Sequence, residues 1–509
     1  MSGVKYLDWF DWCVFGGMLL LSSAIGVYFA FFSKKKQDTT SEYLMGGRTM
    51  PIFPISMSLI ASYISGITLL GTPAEIYVYG SQAYMGVISD ILTNITIVIV
   101  YLPVFFKLQV TSSYESLYLK EFEINYNFET FPILYLQGGL KAVVWADTLQ
   151  MFLMMGGIVV VLIIGIVKVG GLGIVYDRAV ETSRAEFFNT DLDPTVRHTL
   201  WNMLLGNYVY HVATMAVNQC MVQRCLSVSS IRHAKWAMFI LTAGIFCIVT
   251  LCTLTGFVMH AYFFDCDPIK SKKISKADQL LPYFVMETST IMPGLPGIFL
   301  SGVFSAALST MSTGLNSMTG VIFEDMIEPW TGGLSERATG RVLKLVVVLI
   351  GILCVSMVFV VEQLGTLFQM TKSGITALCT MGWISLGAQS VISKGLIKFP
   401  TKSVNVSGCK EPLDHLSNLE VAMEPLYMFR ISYMWYGLIG LFITISVGLL
   451  VSNLRPDSKK VDRDLLSPVI YRFLAEDKSS SEIQSAISPN GVELIAVDSK
   501  LKKSGEKCS

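Results

Sequence analysis

The residues able to perform acid–base or nucleophilic chemistry form no catalytic pattern in this sequence. Of the five histidines, His198, His211, His233 and His260 lie far apart, with no carboxylate at a catalytic spacing. The ten cysteines are scattered, with no CxxC pair or cysteine–histidine cluster of the kind that binds a metal. We also find no nucleophile motif and no phosphate-binding loop. The sequence therefore predicts no catalytic residues, no resident metal and a protein that is not an enzyme.

Hydroxyl and glycine residues are instead concentrated inside apolar stretches. The clearest example carries Ser58, Ser62, Ser65, Gly66 and Thr68 in one run. In a transporter, interrupted helices of this composition face the path of the solute and the coupling ion. The same composition also suits close packing of helices through small residues. We favour the first interpretation.

The overall composition predicts an integral membrane protein. Of 509 residues, 52% are hydrophobic and only 15% are charged, whereas soluble domains carry about 25% charged residues. The runs 12–32, 148–167 and 431–453 contain no charged residue, and each is long enough to cross about 30 Å of hydrocarbon. The formal net charge is zero, so charge balance gives no support for a nucleic-acid partner.

Hydropathy predicts ten spans separated mostly by polar loops. The second, fifth and seventh have weak signals because they are rich in Gly, Ser, Thr and Asn. The first follows acidic residues rather than a basic region, so we interpret it as a retained helix and not a signal peptide. The ten spans are 12–32, 53–72, 84–106, 148–169, 199–220, 236–261, 294–321, 343–369, 375–392 and 430–453.

Basic residues predict the orientation of these spans. Lys34–Lys36 follow the first span and Arg224–Lys235 precede the sixth, so both loops are expected in the cytoplasm and the N-terminus outside the cell. Counting onward places 393–426 inside, although that loop holds the glycosylation sequon beginning at Asn405. One missing crossing between 362 and 393 would remove the conflict. Cys266 lies in a polar loop and could pair with a loop partner such as Cys409.

Seven blocks of sequence stand in the order found in one transporter family. The chain closely resembles the solute:sodium symporter family, in its animal branch of monocarboxylate, multivitamin and iodide transporters. The resemblance covers about 1–120 and 138–453. The blocks are EYLMGGRTM (42–50), SLIASYISGITLLGTPAEIYVYG (58–80), GGLKAVVWADTLQ (138–150), VNQCMVQR (217–224), SKADQLLPYFV (275–285), PGLPGIFLSGVFSAALSTMSTGLNS (293–317) and ISLGAQ (384–389).

The resemblance implies an all-α membrane protein with a LeuT-type five-plus-five inverted repeat, and Na⁺ as the co-transported ion. The family's sodium ligands fall on the backbone carbonyls of Ala61, Ile64 and Ala306 and on the hydroxyls of Ser309 and Thr310. An interrupted helix frees carbonyls for such an ion. The alternative for both hydroxyls is bonding back to their own helix.

The family also implies a cation path and a solute site. Asp147 matches a family aspartate near the cytoplasmic end of the cation path, and its alternative is a salt bridge with Lys141 or Arg224. The solute site is expected between two broken helices. Its candidates are Ser65, Thr68, Tyr208 and His211. His211 stands where relatives commonly have tryptophan, so it could donate to a carboxylate solute or could simply be a satisfied packing residue.

The chain departs from the family in length. Members cross the membrane thirteen times, whereas about ten helices are expected here. Segments are missing between Lys120 and Gly138 and between Ser373 and Gly374, and 121–137 reads as an irregular insertion. We therefore predict a transmembrane transporter domain over 1–453, incomplete relative to the family, and a disordered cytoplasmic tail over 454–509.

Two functions are consistent with this sequence. The first is a multi-pass plasma-membrane symporter that uses sodium to import a small organic anion, a monocarboxylate or vitamin-like solute, by alternating access. The second is a truncated, non-transporting isoform that regulates or sequesters a full-length transporter. The expected partners are the solute, sodium and the lipid bilayer, together with a second copy or a full-length paralogue. No nucleic-acid partner is expected.

Overall fold

The structure is a computed structural model. It describes residues 7–32, 44–108, 139–289, 292–327, 335–364, 375–393, 397, 399–409, 425–454 and 467–470. Lys34–Lys36, the segment 121–137 and most of the tail 454–509 lie outside these ranges. The predictions made for those three segments therefore remain predictions.

All regular structure in the described ranges is helical, and every predicted span overlaps a helix. Five helices have the length and hydropathy to cross a membrane, and one bent pair makes a sixth. The helices of the first half are α1 (Trp9–Val27), α2 (Ile52–Tyr63), α3 (Gly66–Tyr79), α4 (Gly86–Thr96), α5 (Leu102–Leu108), α6 (Gly139–Val169), α7 (Leu172–Glu181) and α8 (Asn207–Met215). Those of the second half are α9 (Gln219–Leu226), α10 (Ile231–Tyr262), α11 (Leu280–Thr288), α12 (Leu295–Val321), α13 (Glu336–Leu364), α14 (Ile375–Ser393), α15 (Tyr427–Arg430) and α16 (Tyr436–Leu454).

Helix α6 is longer than the predicted fourth span. It begins at Gly139 rather than near residue 148, so Lys141 and Asp147 belong to the helix. The first part of α6 was not predicted because the fourth span was defined as a run without charged residues, and Lys141 and Asp147 interrupt such a run. Asp147 is compatible with a buried helix because it is fully buried beside a positively charged partner.

Helices α6 and α12 form the centre of the bundle, and small residues bring their backbones together. A Cβ atom added to Gly302 of α12 would lie 3.3 Å from the Leu153 carbonyl oxygen of α6. A Cβ atom on Gly157 would lie 3.5 Å from the Ile298 carbonyl oxygen. Such contacts are typical of membrane helices, which associate through backbone proximity rather than through a hydrophobic driving force.

The hydroxyl-rich second span is a broken helix, as its composition predicted. Ile64 and Ser65 adopt extended backbone angles (φ −80°, ψ 109° and φ −90°, ψ 164°), and α2 and α3 are bent by 57°. The Ser65 hydroxyl accepts the Thr68 amide at 3.2 Å and so caps α3. The fifth span is also interrupted: α8 ends at Met215, and Asn218 caps α9 by accepting the Cys220 amide at 2.9 Å.

One end of the bundle joins several loops. The predicted pair Cys266–Cys409 forms a disulfide bond. Beside it, the Asp267 amide donates to the Asn405 carbonyl and the Gly408 amide to the Asp265 carbonyl, each at 3.0 Å. Residues 399–409 therefore lie at the same end as the C-terminus of α10. A count of ten full crossings would have placed them at the opposite end.

Candidate functional site

The five predicted sodium ligands lie where the break in the α2–α3 pair meets α12. Ala61 lies in the last turn of α2 and Ile64 in the break, while Ala306, Ser309 and Thr310 belong to α12. The Ser62 hydroxyl lies 3.4 Å from the Ser309 hydroxyl. The two elements that must share an ion are therefore in direct contact.

The break makes a backbone carbonyl available. In a continuous helix the Thr68 amide would bond to the Ile64 carbonyl, but here it donates to the Ser65 hydroxyl. The Ile64 carbonyl is thus released from the helical pattern while it lies in a fully buried position. A buried carbonyl without its helical donor is well suited to a desolvated cation.

The hydroxyls of Thr310 and Ser309 on α12 have different hydrogen-bond partners. The Thr310 hydroxyl donates to the Ala306 carbonyl at 3.0 Å, which is the bonding back along the helix considered from the sequence. Both oxygens still keep lone pairs, because a hydroxyl oxygen has two and a carbonyl accepts more than one bond. Ser309 faces the break instead. The donor set is therefore compatible with a sodium ion bound by neutral oxygens.

A buried ion pair lies one layer below this contact. The Arg224 Nη2 atom is 2.8 Å from Asp147 Oδ2, and both side chains are at most 1% exposed. The Ser58 hydroxyl donates to the same carboxylate oxygen at 2.6 Å and accepts from Arg224 Nε at 2.6 Å. The salt bridge between Asp147 and Arg224, one of the two alternatives given for Asp147, is thus observed. A role of Asp147 in the cation path remains a prediction.

Hydroxyls connect the ion pair to the predicted sodium site. Arg224 Nη2 also donates to the Thr313 hydroxyl, which lies 3.1 Å from the Ser62 hydroxyl. The Ser309 hydroxyl also interacts with the Asp147 carboxylate. Sequence reasoning named Ser62 only as part of the hydroxyl-rich run and did not name Thr313. Their positions, one and three residues from predicted ligands, were the available signal.

The predicted solute residues are only partly brought together. Ser65 and Thr68 contact each other through their hydroxyls at 3.2 Å. Tyr208 turns to α4, where its hydroxyl lies 2.8 Å from the Thr96 hydroxyl. His211 contacts the end of α2: its Nδ1 atom lies 2.9 Å from the Tyr63 hydroxyl. The described contacts therefore join the two broken helices through Tyr63 and His211.

Asp90 is a further residue of this region that sequence reasoning missed. It accepts a hydrogen bond from the Tyr63 hydroxyl at 2.7 Å and lies 3.3 Å from His211 Nε2. Asp90 is the single acid in the predicted span 84–106. An ionisable residue inside a membrane span is by default a functional candidate, and this signal was present in the sequence.

The C-terminal end of α3 is held by a second ionic cluster. Arg197 donates to Glu75 through Nε at 2.6 Å and through Nη2 at 3.1 Å. Its guanidinium also lies 4.2 Å from the ring centre of Tyr79 and 5.2 Å from that of Tyr433. Bidentate pairing with aromatic contacts fixes a guanidinium well. This cluster ties α3 to the segment that leads into α16.

A more exposed ion pair lies at the same end. The Lys402 ammonium donates to Glu186 at 2.7 Å and holds the pKa of that carboxyl below its usual value. Asn405, in the same loop, is exposed, and its side chain accepts the Ser407 amide at 2.9 Å. The sequon is thus presented on a surface turn, as a glycosylation acceptor requires.

Comparison with known proteins gives a consistent result. Residues 43–119 and 124–386 match the profile of the Sodium:solute symporter family. Sodium-coupled monocarboxylate transporter 2 of Mus musculus is 32% identical, over 92% of this chain and 88% of that protein. Sodium-coupled monocarboxylate transporter 1 of Homo sapiens is 29% identical over 87% and 86%. The putative sodium-dependent multivitamin transporter of Drosophila melanogaster is 30% identical, again over 87% and 86%.

A solved structure confirms the predicted fold class. The substrate-bound, outward-open Na⁺-coupled sialic acid symporter superposes with a TM-score of 0.67 at 20% identity. The superposition covers 89% of this chain and all of that chain. Because the identity is low, this similarity concerns the LeuT-like helical fold.

The alignments also record internal length differences. The mouse alignment spans 545 positions but includes 92% of this 509-residue chain, or about 468 residues, so about 77 positions have no residue here. The family match breaks at 120–123, at the start of the segment 121–137, and then continues without a break through 373–374.

Proposed function

Because this chain belongs to the sodium:solute symporter family, we propose that it imports a small organic anion, a monocarboxylate or vitamin-like solute, together with sodium across the plasma membrane. Sodium-coupled solute transport follows from the family and from its relatives, as does the conclusion that the protein is not an enzyme. The solute class is our inference from the names of those relatives.

The contact between the helix break and α12 is the observation that carries the sodium site. A sodium ion bound by Ala61, Ile64, Ala306, Ser309 and Thr310 would hold the break against α12 with neutral oxygens only. The break at Ile64 and Ser65 supplies two half-helices whose angle can change. Ion binding therefore favours one arrangement of α2 and α3, and release to the cytoplasm permits the other.

The solute is proposed to bind beside the ion, between the two broken helices. Ser65 and Thr68 lie at the N-terminus of α3, where the partial positive charge of the helix favours an anionic group. Tyr208 and His211 belong to the other broken helix. A carboxylate seated at the start of α3 would be close to the ion at the break, so that each ligand would strengthen the binding of the other.

The orientation is inferred from the joined outer loops. Disulfides persist in oxidising environments such as the cell exterior, and the Cys266–Cys409 bond lies in the same layer as the Asn405 sequon. We therefore place this end outside the cell. The beginning of α10, near Arg232 and Lys235, is then cytoplasmic, and the N-terminus is extracellular.

Uptake of labelled lactate, nicotinate, biotin and iodide tests the proposed function. Cells displaying the chain would be compared in sodium and choline medium, with surface protein quantified. We expect sodium-dependent uptake of a carboxylate. Absence of uptake at normal surface density would favour the regulatory isoform, which no contact in the described structure and no comparison supports over symport.

The sodium site has its own test, with a matched control. Replacing Ser309 and Thr310 together by alanine should abolish sodium activation of uptake while surface expression stays near normal. The control is Thr319→Ala, which removes a buried hydroxyl from the same helix, where it bonds only back to the Leu315 carbonyl. Unchanged sodium activation in the double variant would remove this assignment.

A further inference from the structure

Helix α10 begins with an exposed face of basic and aromatic side chains. Arg232 and Lys235 are exposed, and Trp236, Phe239 and Phe246 are 55%, 64% and 49% exposed. Positions three, four or seven residues apart lie on one side of an α-helix, so these side chains share one face. We name these five residues the α10 stripe.

The opposite side of the same turns faces the bundle. Ala234 and Leu241 are fully buried, and Ile245 is 1% exposed. Buried and exposed positions therefore follow the helical period. Because α10 has the length and hydropathy to cross a membrane, the α10 stripe faces the lipid.

The α10 stripe has the order of a phospholipid from headgroup to acyl chain. Arg232 and Lys235 lie in the first two turns of α10, and Phe246 follows fourteen residues after Arg232, or about 21 Å along the axis. Tryptophan is favoured at the boundary between headgroups and hydrocarbon, where Trp236 lies. Its ring contacts that of Phe239 edge to face, with centres 5.8 Å apart.

The positive charge of the α10 stripe is not compensated within the described residues. Neither Arg232 nor Lys235 forms an ion pair with another described side chain. The sequence over 225–264 contains no Asp or Glu. The N-terminus of α10 adds its own partial positive charge. The α10 stripe is therefore complementary to a headgroup that carries more negative charge than its phosphate is balanced for.

We infer that the α10 stripe binds an anionic phospholipid, with the headgroup at Arg232 and Lys235 and an acyl chain along the aromatic rings. The inference goes beyond the proposed function and holds whichever solute is carried. The proposed orientation places this end of α10 at the cytoplasmic leaflet, which is the leaflet rich in anionic lipids.

A lipid held here acts on more than α10. The Met50 amide, just before α2, donates to the carbonyl of Ser227, just before α10, at 3.1 Å. The start of α10 is thus joined to the segment that leads into α2. Because a ligand that binds the folded state stabilises it, we expect phosphatidylserine to raise the midpoint of thermal unfolding of the purified chain.

Native mass spectrometry of the purified chain in detergent tests the inference. The probes are phosphatidylserine and phosphatidylcholine with identical acyl chains at equal concentration. We expect phosphatidylserine to bind about tenfold more tightly, since two basic residues meet the anionic headgroup. Arg232→Gln with Lys235→Gln should remove this preference. The matched control, Lys272→Gln with Lys273→Gln, removes two exposed lysines from the loop after α10 and should keep it.

A photoreactive lipid keeps the test decisive if the first double variant fails to fold. In the wild-type chain, phosphatidylserine with a diazirine in its acyl chain should form cross-links to the peptide that contains Trp236 and Phe246. Inorganic phosphate should not displace it. Equal affinity for the two lipids in the wild type, an unchanged preference in the folded double variant, cross-links only to other helices, or displacement by phosphate would overturn the inference.

Discussion

At the residue scale, the buried pair of Asp147 and Arg224 is the most consequential ionic contact of the centre. Both side chains are almost fully buried, and Ser58 and Thr313 complete the donor and acceptor set on one side. Desolvation makes such a pair a poor source of net stability, yet removing one partner leaves a buried charge without compensation. The two single variants and the double variant should therefore behave very differently.

We predict that Arg224→Gln lowers the free energy of unfolding by about 3–5 kcal/mol, because it leaves Asp147 as an uncompensated buried carboxylate. Asp147→Asn leaves Arg224 as an uncompensated buried cation, so it should lower the free energy of unfolding by a similar amount. The double variant should recover much of the loss, since neither charge remains. Thermal unfolding in detergent with a double-mutant cycle measures this, and strictly additive losses would contradict it.

At the element scale, the helices meet where glycines remove side chains. A Cβ atom at Gly256 of α10 would lie 2.8 Å from the Pro73 carbonyl oxygen of α3 and 2.7 Å from the Ile76 Cβ atom. Both atoms belong to the rigid part of α3, so neither can turn aside. At Gly156 of α6, also inside a helix, a Cβ atom would meet no atom of a neighbouring element within 4 Å in the described structure.

We predict that Gly256→Ala forces α10 and α3 apart and costs about 1–3 kcal/mol, as other overpacked sites do. The matched variant Gly156→Ala should be neutral or slightly stabilising, because alanine favours a helix more than glycine. Midpoints of thermal unfolding for the two variants decide the matter. Equal midpoints for the two variants would contradict a close contact between α3 and α10 at Gly256.

Much of the helical pattern could be predicted from these elements, and some of the site could not. Hydropathy located the spans, and the hydroxyl- and glycine-rich run 58–68 predicted an interrupted helix, because both signals are local. The contact between Asp90 and His211 depends on how three helices pack, which single-sequence periodicity does not contain. The first part of α6 was missed for a related reason: the partner that makes Asp147 tolerable, Arg224, lies far along the chain.

At the scale of the whole molecule, the loops at the C-terminal ends of α3 and α10 form one layer. Cys266–Cys409, Arg184 bonded to the Tyr77 and Ser403 carbonyls, and the Lys402–Glu186 pair all belong to it. The sequon at Asn405 lies within this layer. If this end is extracellular, the layer is assembled in an oxidising compartment and its sequon is accessible there.

We predict that the chain made in animal cells carries an N-linked glycan at Asn405. Digestion with an endoglycosidase should increase its electrophoretic mobility, and Asn405→Gln should remove the shift. Asn189→Gln is the matched control, since Asn189 is at the same end but its sequence is not a sequon. A wild-type chain without a shift, reaching the cell surface, would contradict the proposed orientation.

The attachment of the loop 399–409 to both α3 and α10 has a mechanical consequence. The Lys402 amide donates to the Val78 carbonyl at 2.9 Å, at the end of α3, while the disulfide joins the same loop to the end of α10. Helices α3 and α10 are thus joined at this end, and we expect them to move together. The change in backbone angles is then expected at Ile64 and Ser65, which act as a hinge between α2 and α3. Spin labels on the C-terminal ends of α3 and α10 should keep a constant separation through the transport cycle, while the separation of labels on α2 and α3, on either side of the break, should change.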